Sequence, residues 1–134
     1  MNAKTRILIV DDDEVVRLSH LRSLTGAHYN VEAAWNGAEA LHAMEQQPFD
    51  VILLDIRMPG MDGMSVLRAI KERWPESEVV IITGFASLET VKEAVQLGAC
   101  DYLSKPVGPD EVIHAANGAL MRKKWALHEV RTEH

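Results

Sequence analysis

The sequence predicts an α/β domain in which helices cover both faces of a doubly wound, five-stranded parallel sheet. Short, mostly apolar runs alternate five times with longer segments of helical spacing, and this strict alternation is typical of parallel sheets. The 134 residues, 47% of them hydrophobic, are enough for one domain with its own core. No internal repeat and no linker interrupts residues 1–122.

The strand candidates are short, and the first, third and fourth are almost wholly apolar. Such runs are expected where a strand is buried on both faces, as in a parallel sheet. The five candidates are residues 6–10, 30–34, 51–54, 79–82 and 100–103.

The intervening segments each carry one apolar stripe at helical spacing. Gly26 and Gly98 stand where helices should end in the left-handed conformation, and the pair Asn36-Gly37 is predicted to start a helix because AEALHAM follows it. The stripes are Val15, Leu18 and Leu21; Leu41 and Met44; Leu67, Ile70 and Trp74; Leu88, Val91 and Val95; Ile113, Ala116 and Leu120.

Composition limits the environment of the chain and its partners. A net charge of −6 disfavours direct contact with nucleic acid or a membrane surface, because phosphate-rich partners favour clustered cations. No signal-peptide pattern is present, and no apolar run approaches the roughly 20 residues of a membrane-spanning helix. The single cysteine, Cys100, suits a reducing compartment. We therefore expect a soluble, cytoplasmic domain.

Ligands of doubly wound sheets bind beyond the carboxyl ends of the strands, so the residues there are the site candidates. They include Asp11 and Asp12 after the first strand, Asp55 after the third, Thr83 after the fourth and Lys105 after the fifth. Helix capping explains the neighbouring acids, residues 13 and 14, equally well.

The three aspartates suggest a metal site. Neighbouring strands lie about 5 Å apart, so Asp11, Asp12 and Asp55 would repel one another unless a cation intervened. Oxygen ligands with no histidine or cysteine nearby favour Mg²⁺ over zinc. A metal and the ammonium group of Lys105 would together neutralise a phosphoryl group, with Asp55 as the nucleophile. The scattered histidines are predicted to be solvated.

Four stretches together resemble the receiver domain of two-component response regulators: ILIVDDDEVVR, DVILLDIRMPGMDG, VVIITGFAS and GACDYLSKP. The resemblance covers residues 4–122. It implies a flavodoxin-like sheet of order 2-1-3-4-5, a receiver domain over residues 1–122, and a C-terminal helix extension or charged tail over residues 123–134.

The resemblance also implies roles for the site residues. Asp55 would be the phosphoacceptor, Asp12 a direct Mg²⁺ ligand and Asp11 its partner, often through water. The backbone carbonyl of Arg57 would supply another ligand, and the loop containing Pro59 and Gly60 would let carbonyls close around the ion. Lys105 would grip the phosphoryl group and precede a cis peptide bond.

Signalling would then depend on two further residues. Thr83 resembles the switch hydroxyl, and Tyr102 resembles the aromatic residue that rotates inward when Thr83 moves. Their movement would remodel the surface formed by the fourth helix, the fifth strand and the fifth helix. The implied phosphodonor is a histidine kinase, which small donors such as acetyl phosphate can replace.

Three features bear on output and phosphoryl lifetime. The stretch TGFASLETVKEAVQLGACDYLSKP is similar to receivers attached to transcription factors of the nitrogen-regulation type. The fifth helix could extend toward a homodimer contact or an output domain. Bulky Phe85 and long Arg57 would hinder water from attacking the acyl phosphate, so they are expected to slow self-dephosphorylation.

Alternative functions remain open at this point. A receiver could act as an interaction module without phosphorylation. A Mg²⁺-dependent aspartyl phosphatase of the haloacid-dehalogenase type fits poorly, because its nucleophile follows the first strand and its cap domain has no counterpart here. A flavin site fits poorly too, since the triply acidic turn cannot cradle a phosphate. We expect a signalling domain whose only chemistry is self-phosphotransfer and self-dephosphorylation.

Overall fold

A computed structural model describes residues 4–58 and 61–132 of the chain, so the predicted role of Pro59 and Gly60 lies outside the described residues. One parallel sheet forms the centre of the molecule. Numbering only the strands of this sheet, they are β1 Arg6–Val10, β2 Asn30–Ala34, β3 Val51–Leu54, β4 Glu78–Thr83 and β5 Asp101–Ser104. Their order is β2-β1-β3-β4-β5, which confirms the predicted topology.

Within the part of the chain that the structure describes, five helices connect and cover the strands. They are α1 Glu14–Gly26, α2 Gly37–Gln46, α3 Gly63–Arg73, α4 Leu88–Gln96 and α5 Pro109–Thr132. Helices α2, α3 and α4 pack on one face of the sheet, and α1 and α5 pack on the other. Alternate residues of β1, β3 and β4 therefore enter different clusters, and full burial of each such aliphatic side chain contributes about 1.5–3 kcal/mol.

Two strands differ slightly from their predicted limits. Strand β4 begins one residue earlier, at Glu78, because this buried acidic residue pairs with Val51 of β3. The carboxylate of Glu78 lies beside the side chain of Arg122 in α5. It also ends one residue later, and β5 is shifted one residue toward the C-terminus. Two short antiparallel strands of two residues each, Arg57–Met58 and Met61–Asp62, pair where the sequence predicted only a loop.

Two predicted apolar stripes are only partly correct: Leu21 packs against the core and Val91 is half-buried, but their neighbours are exposed. In α1, Val15 and Leu18 are 76% and 51% exposed, and in α4, Leu88 and Val95 are 71% and 62% exposed. The residues that α1 buries are instead His20 and Leu24, and α4 buries Ala94. Each helix thus presents apolar side chains to solvent.

The helix termini follow local backbone chemistry. Asn36 caps α2, accepting a hydrogen bond from Glu39 N at 2.7 Å, as its predicted helix start requires. Gly98 takes the left-handed conformation after α4, as predicted, with φ 102°. After α1 that conformation belongs to His28, with φ 71°, and Gly26 is the last helical residue, which corrects the prediction. After both α1 and α4, the amides of the two residues that follow the helix donate to carbonyl groups of its last turn. The left-handed residue is therefore the second one after the helix end.

Helix α5 continues past residue 122 without a break and is fixed to the amino edge of the sheet. Lys123 Nζ lies 2.6 Å from Asp50 Oδ1, and the amide of Arg6 donates to the other Asp50 oxygen. Burial raises the pKa of Asp50, but these two donors outweigh burial and hold the pKa below its ordinary value. Across residues 4–58 and 61–132, no helix has both the length and the apolar character needed to cross a bilayer.

Candidate functional site

An acidic cluster lies at the carboxyl edge of the sheet, directly after β1 and β3. Val10 pairs with Leu54, so the following residues, Asp11 and Asp55, are neighbours, and Asp55 N donates to Val10 O at 2.9 Å. One carboxylate oxygen from each of Asp11, Asp12 and Asp55 lies within 4.8 Å of the others. Asp11 and Asp55 are buried, whereas Asp12 is exposed.

Backbone amides orient the two buried carboxylates. Asp13 N donates to Asp11 Oδ1 at 2.9 Å, and Arg57 N donates to Asp55 Oδ1 at 3.0 Å. Each contact spans two residues, which is the local geometry that aspartate favours at a turn. Asp13 itself caps α1, as one of the two sequence interpretations had it.

Lys105 joins the two buried carboxylates from the opposite side. Its Nζ lies 2.7 Å from Asp11 Oδ2 and 2.9 Å from Asp55 Oδ2. Its peptide bond to Pro106 is cis, and its amide donates to Thr83 O at 2.9 Å. Burial lowers the pKa of Lys105, but the two carboxylates outweigh burial and raise it above its ordinary value, so the ammonium group stays charged.

The charge and the donor atoms of the cluster fit a hard divalent cation. Three carboxylates and one ammonium group leave two formal negative charges uncompensated within a space a few ångströms across. Every acidic ligand offers oxygen, which is the donor that Mg²⁺ prefers. The arrangement can therefore bind a cation and place a positively charged group beside Asp55.

Thr83 is the last residue of β4, and Phe85 lies in the loop that follows it. Thr83 is fully buried at the end of β4, and its hydroxyl oxygen accepts a hydrogen bond from Phe85 N at 3.3 Å. The Phe85 ring is 57% exposed, and the guanidinium carbon of Arg57 lies 3.8 Å from its centroid. Residues from the loops after β3 and β4 thus form a cation–π pair beside the acidic cluster.

Tyr102 lies in β5 and is half-buried against the core that α2, α3 and α4 cover. Its hydroxyl is 2.8 Å from Thr90 Oγ1, in the first turn of α4. Sequence reasoning missed Thr90, because a polar residue there is usually a solvated or capping side chain. Only the docking of α4 against β5 brings the two hydroxyls together.

Two residues of α1 near the site were also missed. His20 is buried, which contradicts its predicted solvation, and burial lowers its pKa. Arg17 Nη1 donates to Asp11 O at 2.7 Å. His20 lies in a groove of about 360 Å³ between the start of α1 and residues 105–107, with Val15 and Ser19 also on its wall.

Comparison with known proteins agrees with this geometry. Residues 7–117 match the family model described as the response regulator receiver domain. DNA-binding transcriptional regulator NtrC from Escherichia coli (strain K12) is 42% identical over 114 residues, which cover 85% of this chain and 24% of the relative. The chain thus spans about a quarter of the length of that curated relative.

Solved structures agree in fold across almost the whole chain. A CheY-like receiver domain protein from Methanospirillum hungatei JF-1 is 32% identical with a TM-score of 0.89, covering 92% of this chain and 99% of the other. NtrX from Brucella abortus is 31% identical with a TM-score of 0.91, covering 96% of this chain and 30% of the other. With the family model matched over most of its length, this chain belongs to the response regulator receiver family of signalling domains.

Proposed function

We propose that the domain is a phosphorylation-dependent switch in which Asp55 receives a phosphoryl group from a histidine kinase. The convergence of Asp11, Asp12 and Lys105 on Asp55 carries this proposal. A carboxylate oxygen of Asp55 attacks phosphorus and forms the acyl phosphate. The bond from phosphorus to the donor's imidazole nitrogen breaks, and the imidazole leaves with that electron pair. In acetyl phosphate, the leaving group is acetate.

Mg²⁺ would be held by Asp11, Asp12 and Asp55, with the backbone carbonyl of Arg57 as a further ligand. When bound, it supplies positive charge to the phosphoryl oxygens. Lys105 neutralises the remaining charge, since its ammonium group is already positioned 2.9 Å from the Asp55 carboxylate. The Asp55 Oδ1 atom stays oriented by Arg57 N, which leaves Oδ2 as the oxygen facing Lys105.

The conformational response starts at Thr83. A phosphoryl group on Asp55 brings nearly two negative charges and new acceptor oxygens, which favour donation from the Thr83 hydroxyl. Thr83 then releases the amide of Phe85, and Tyr102 moves into the space beside β5. The result is a shift in population between two conformations of the surface formed by α4, β5 and α5.

The exposed apolar residues support two partner surfaces. The exposed Val15 of α1 lines the groove beside Lys105, which suits a kinase that must bring its phosphohistidine to Asp55. Leu88 and Val95 of α4 lie on the surface that responds to phosphorylation and suit an output partner. Similarity to NtrC supports transcriptional control as that output, carried out in the cytoplasm by a domain or protein outside this segment. We expect the receiver itself to contact neither nucleic acid nor a membrane.

The receiver body comprises residues 1–122 in this proposal, and residues 123–134 extend it toward an output domain or a second copy of the chain. The helical backbone of α5 through Thr132 and the Lys123–Asp50 ion pair support an extension that leaves the body in a fixed direction.

Intact-protein mass spectrometry after incubation with acetyl phosphate tests the chemistry. The wild-type chain should gain one phosphoryl group only in the presence of Mg²⁺, and Asp55→Asn should gain none. Asp50→Asn is the matched control, because it alters the aspartate at the opposite end of the same strand and should keep the adduct. A Mg²⁺-dependent adduct on Asp55→Asn would show that another residue is the acceptor.

Absence of an adduct on the wild-type chain calls for the same measurement with a phosphorylated histidine kinase. If that donor also leaves Asp55 unmodified, the domain acts as an interaction module without phosphorylation, and the proposal fails.

A further inference from the structure

Thr90 is the third residue of α4 and takes part in two structures at once. It closes a capping box with Ser87, because Ser87 N donates to Thr90 Oγ1 at 3.1 Å and Thr90 N donates to Ser87 Oγ at 3.2 Å. The same Thr90 Oγ1 atom lies 2.8 Å from the Tyr102 hydroxyl. One threonine therefore joins the start of α4 to the tyrosine of β5.

The hydrogen-bonding capacity of a hydroxyl limits how many partners Thr90 can serve. A threonine hydroxyl has one proton and two lone pairs. The Thr90 proton is directed to Ser87 O at 3.0 Å, and one lone pair accepts from Ser87 N. Two hydroxyls compete for the remaining lone pair, because Ser87 Oγ lies 3.0 Å from Thr90 Oγ1 and the Tyr102 hydroxyl lies 2.8 Å from it. Tyr102 is the nearer of the two, and its half-buried hydroxyl can donate there. When Tyr102 leaves, Thr90 loses a partner and the capping box itself stays complete.

The start of α4 is also close to the switch hydroxyl in the chain. Only residues 84–86 separate Thr83 from Ser87, and within that loop Phe85 N is bonded to Thr83 Oγ1. Movement of Thr83 toward a phosphorylated Asp55 would release this amide and free the loop that leads into Ser87. Hydrogen bonds and the backbone between Phe85 and Ser87 thus connect Thr83 to Tyr102 through the cap of α4.

We propose that Thr90 is a positioning residue that holds Tyr102 in its resting position and couples the movement of Tyr102 to the first turn of α4. The inference rests on the proposed switch function and adds a residue to its regulation. Loss of one such hydrogen bond changes an equilibrium by about threefold to tenfold, so Thr90 favours the resting conformation by that factor. Departure of Tyr102 also removes a contact that holds the first turn of α4 in place.

Hydrogen exchange in the ligand-free full chain provides the first test. The amides of Thr90 and Val91 belong to the first turn, bonding to Ser87 Oγ and Ser87 O. Tyr102→Phe keeps the capping box and the aromatic ring and removes only the ring hydroxyl. It should speed exchange of these two amides about threefold to tenfold. Thr90→Ser should keep the wild-type rates. Unchanged rates in Tyr102→Phe would overturn the proposal, because the tyrosine would then contribute nothing to the turn.

Binding of the phosphoryl analogue beryllofluoride with Mg²⁺ provides the second test. Thr90→Val should tighten apparent binding about threefold to tenfold, because it weakens the resting state, and Thr90→Ser should match the wild type. In the Tyr102→Phe background, Thr90→Val should cause no further change. An equal effect of Thr90→Val in both backgrounds would overturn the proposal, since the threonine would then act through helix capping alone.

The two tests separate this proposal from the switch function. Failure of every variant, and of the wild type, to bind beryllofluoride would refute the proposed phosphoryl site. The exchange rates of the ligand-free chains would still decide whether Tyr102 and Thr90 are coupled.

Discussion

Gly63 offers a sharp test of how closely the loop after Asp55 is packed. A Cβ atom on this residue would lie 2.2 Å from Ile56 Cα and 2.8 Å from both Ile56 C and Ile56 O. Ordinary carbon contacts are about 3.5–4.0 Å, and all three contacted atoms are backbone atoms that no rotamer change can move. Gly63→Ala must therefore displace the backbone of Ile56 or of the start of α3.

The expected cost follows from that displacement. Overpacked substitutions typically destabilise a domain by about 1–3 kcal/mol, and a contact this short belongs at the upper end. The alanine gains little helix propensity in return, because Gly63 is the first residue of α3. We expect Gly63→Ala to lower the free energy of unfolding by about 2–3 kcal/mol, a large part of the roughly 5–15 kcal/mol typical of a domain.

Urea unfolding measures this change, and Gly118→Ala is its matched control. Gly118 is exposed in the middle of α5 and has no atom within 4 Å of its ideal Cβ position, so the control should gain about 0.5–1 kcal/mol. A displaced Ile56 should also slow phosphorylation of the adjacent Asp55. A free energy of unfolding for Gly63→Ala equal to that of the wild type would refute the packing argument.

Three further predictions concern other parts of the molecule. Alanine at both Arg57 and Phe85 should shorten the phosphoryl lifetime on the order of tenfold by admitting water. Because the two side chains stack, the effect of the double change should be smaller than the sum of the two single effects. An unchanged lifetime in the double variant rejects the shielding role. Lys123→Met should cost about 1 kcal/mol at pH 7, measured by urea unfolding. Because the folded pKa of Asp50 is depressed, its stabilisation is present above about pH 4 and is lost as pH falls through that pKa, so the difference between wild type and Lys123→Met should shrink in acid; a difference constant down to acid unfolding contradicts this. Burial raises the pKa of Cys100 to about 12, so iodoacetamide at pH 8 should modify it at least about a hundredfold more slowly than in the urea-unfolded chain, and equal rates would contradict that burial.

The sheet was predictable because its three central strands, β1, β3 and β4, are buried on both faces. Continuous apolar runs such as residues 51–54 have no competing interpretation at that length, and the rule that sites lie at carboxyl edges then grouped Asp11, Asp55 and Lys105 correctly in space. The limits of β4 were harder to predict, because an acidic residue such as Glu78 is not expected in a buried strand and its contact with Arg122 requires the docking of α5.

The exposed faces of α1 and α4 were not predictable from periodicity. Val15 and Leu88 continue a helical stripe in sequence, yet both are exposed to solvent. The prediction failed because it assumed that every apolar stripe faces the core of the same chain. The contacts of His20 and Thr90 depend on how whole helices dock, which no local pattern records. The failures of sequence reasoning therefore cluster around the two surfaces proposed to meet partners.

Strand β3 separates two sets of polar interactions by its own length. Asp50 precedes it and anchors α5, and Asp55 follows it and carries the proposed chemistry; five extended residues place them about 16 Å apart. Energetic effects at such a distance usually add independently. Substitutions at the Asp50–Lys123 pair can thus change how the C-terminal half of α5 is anchored without altering the carboxylates of the proposed phosphoryl site.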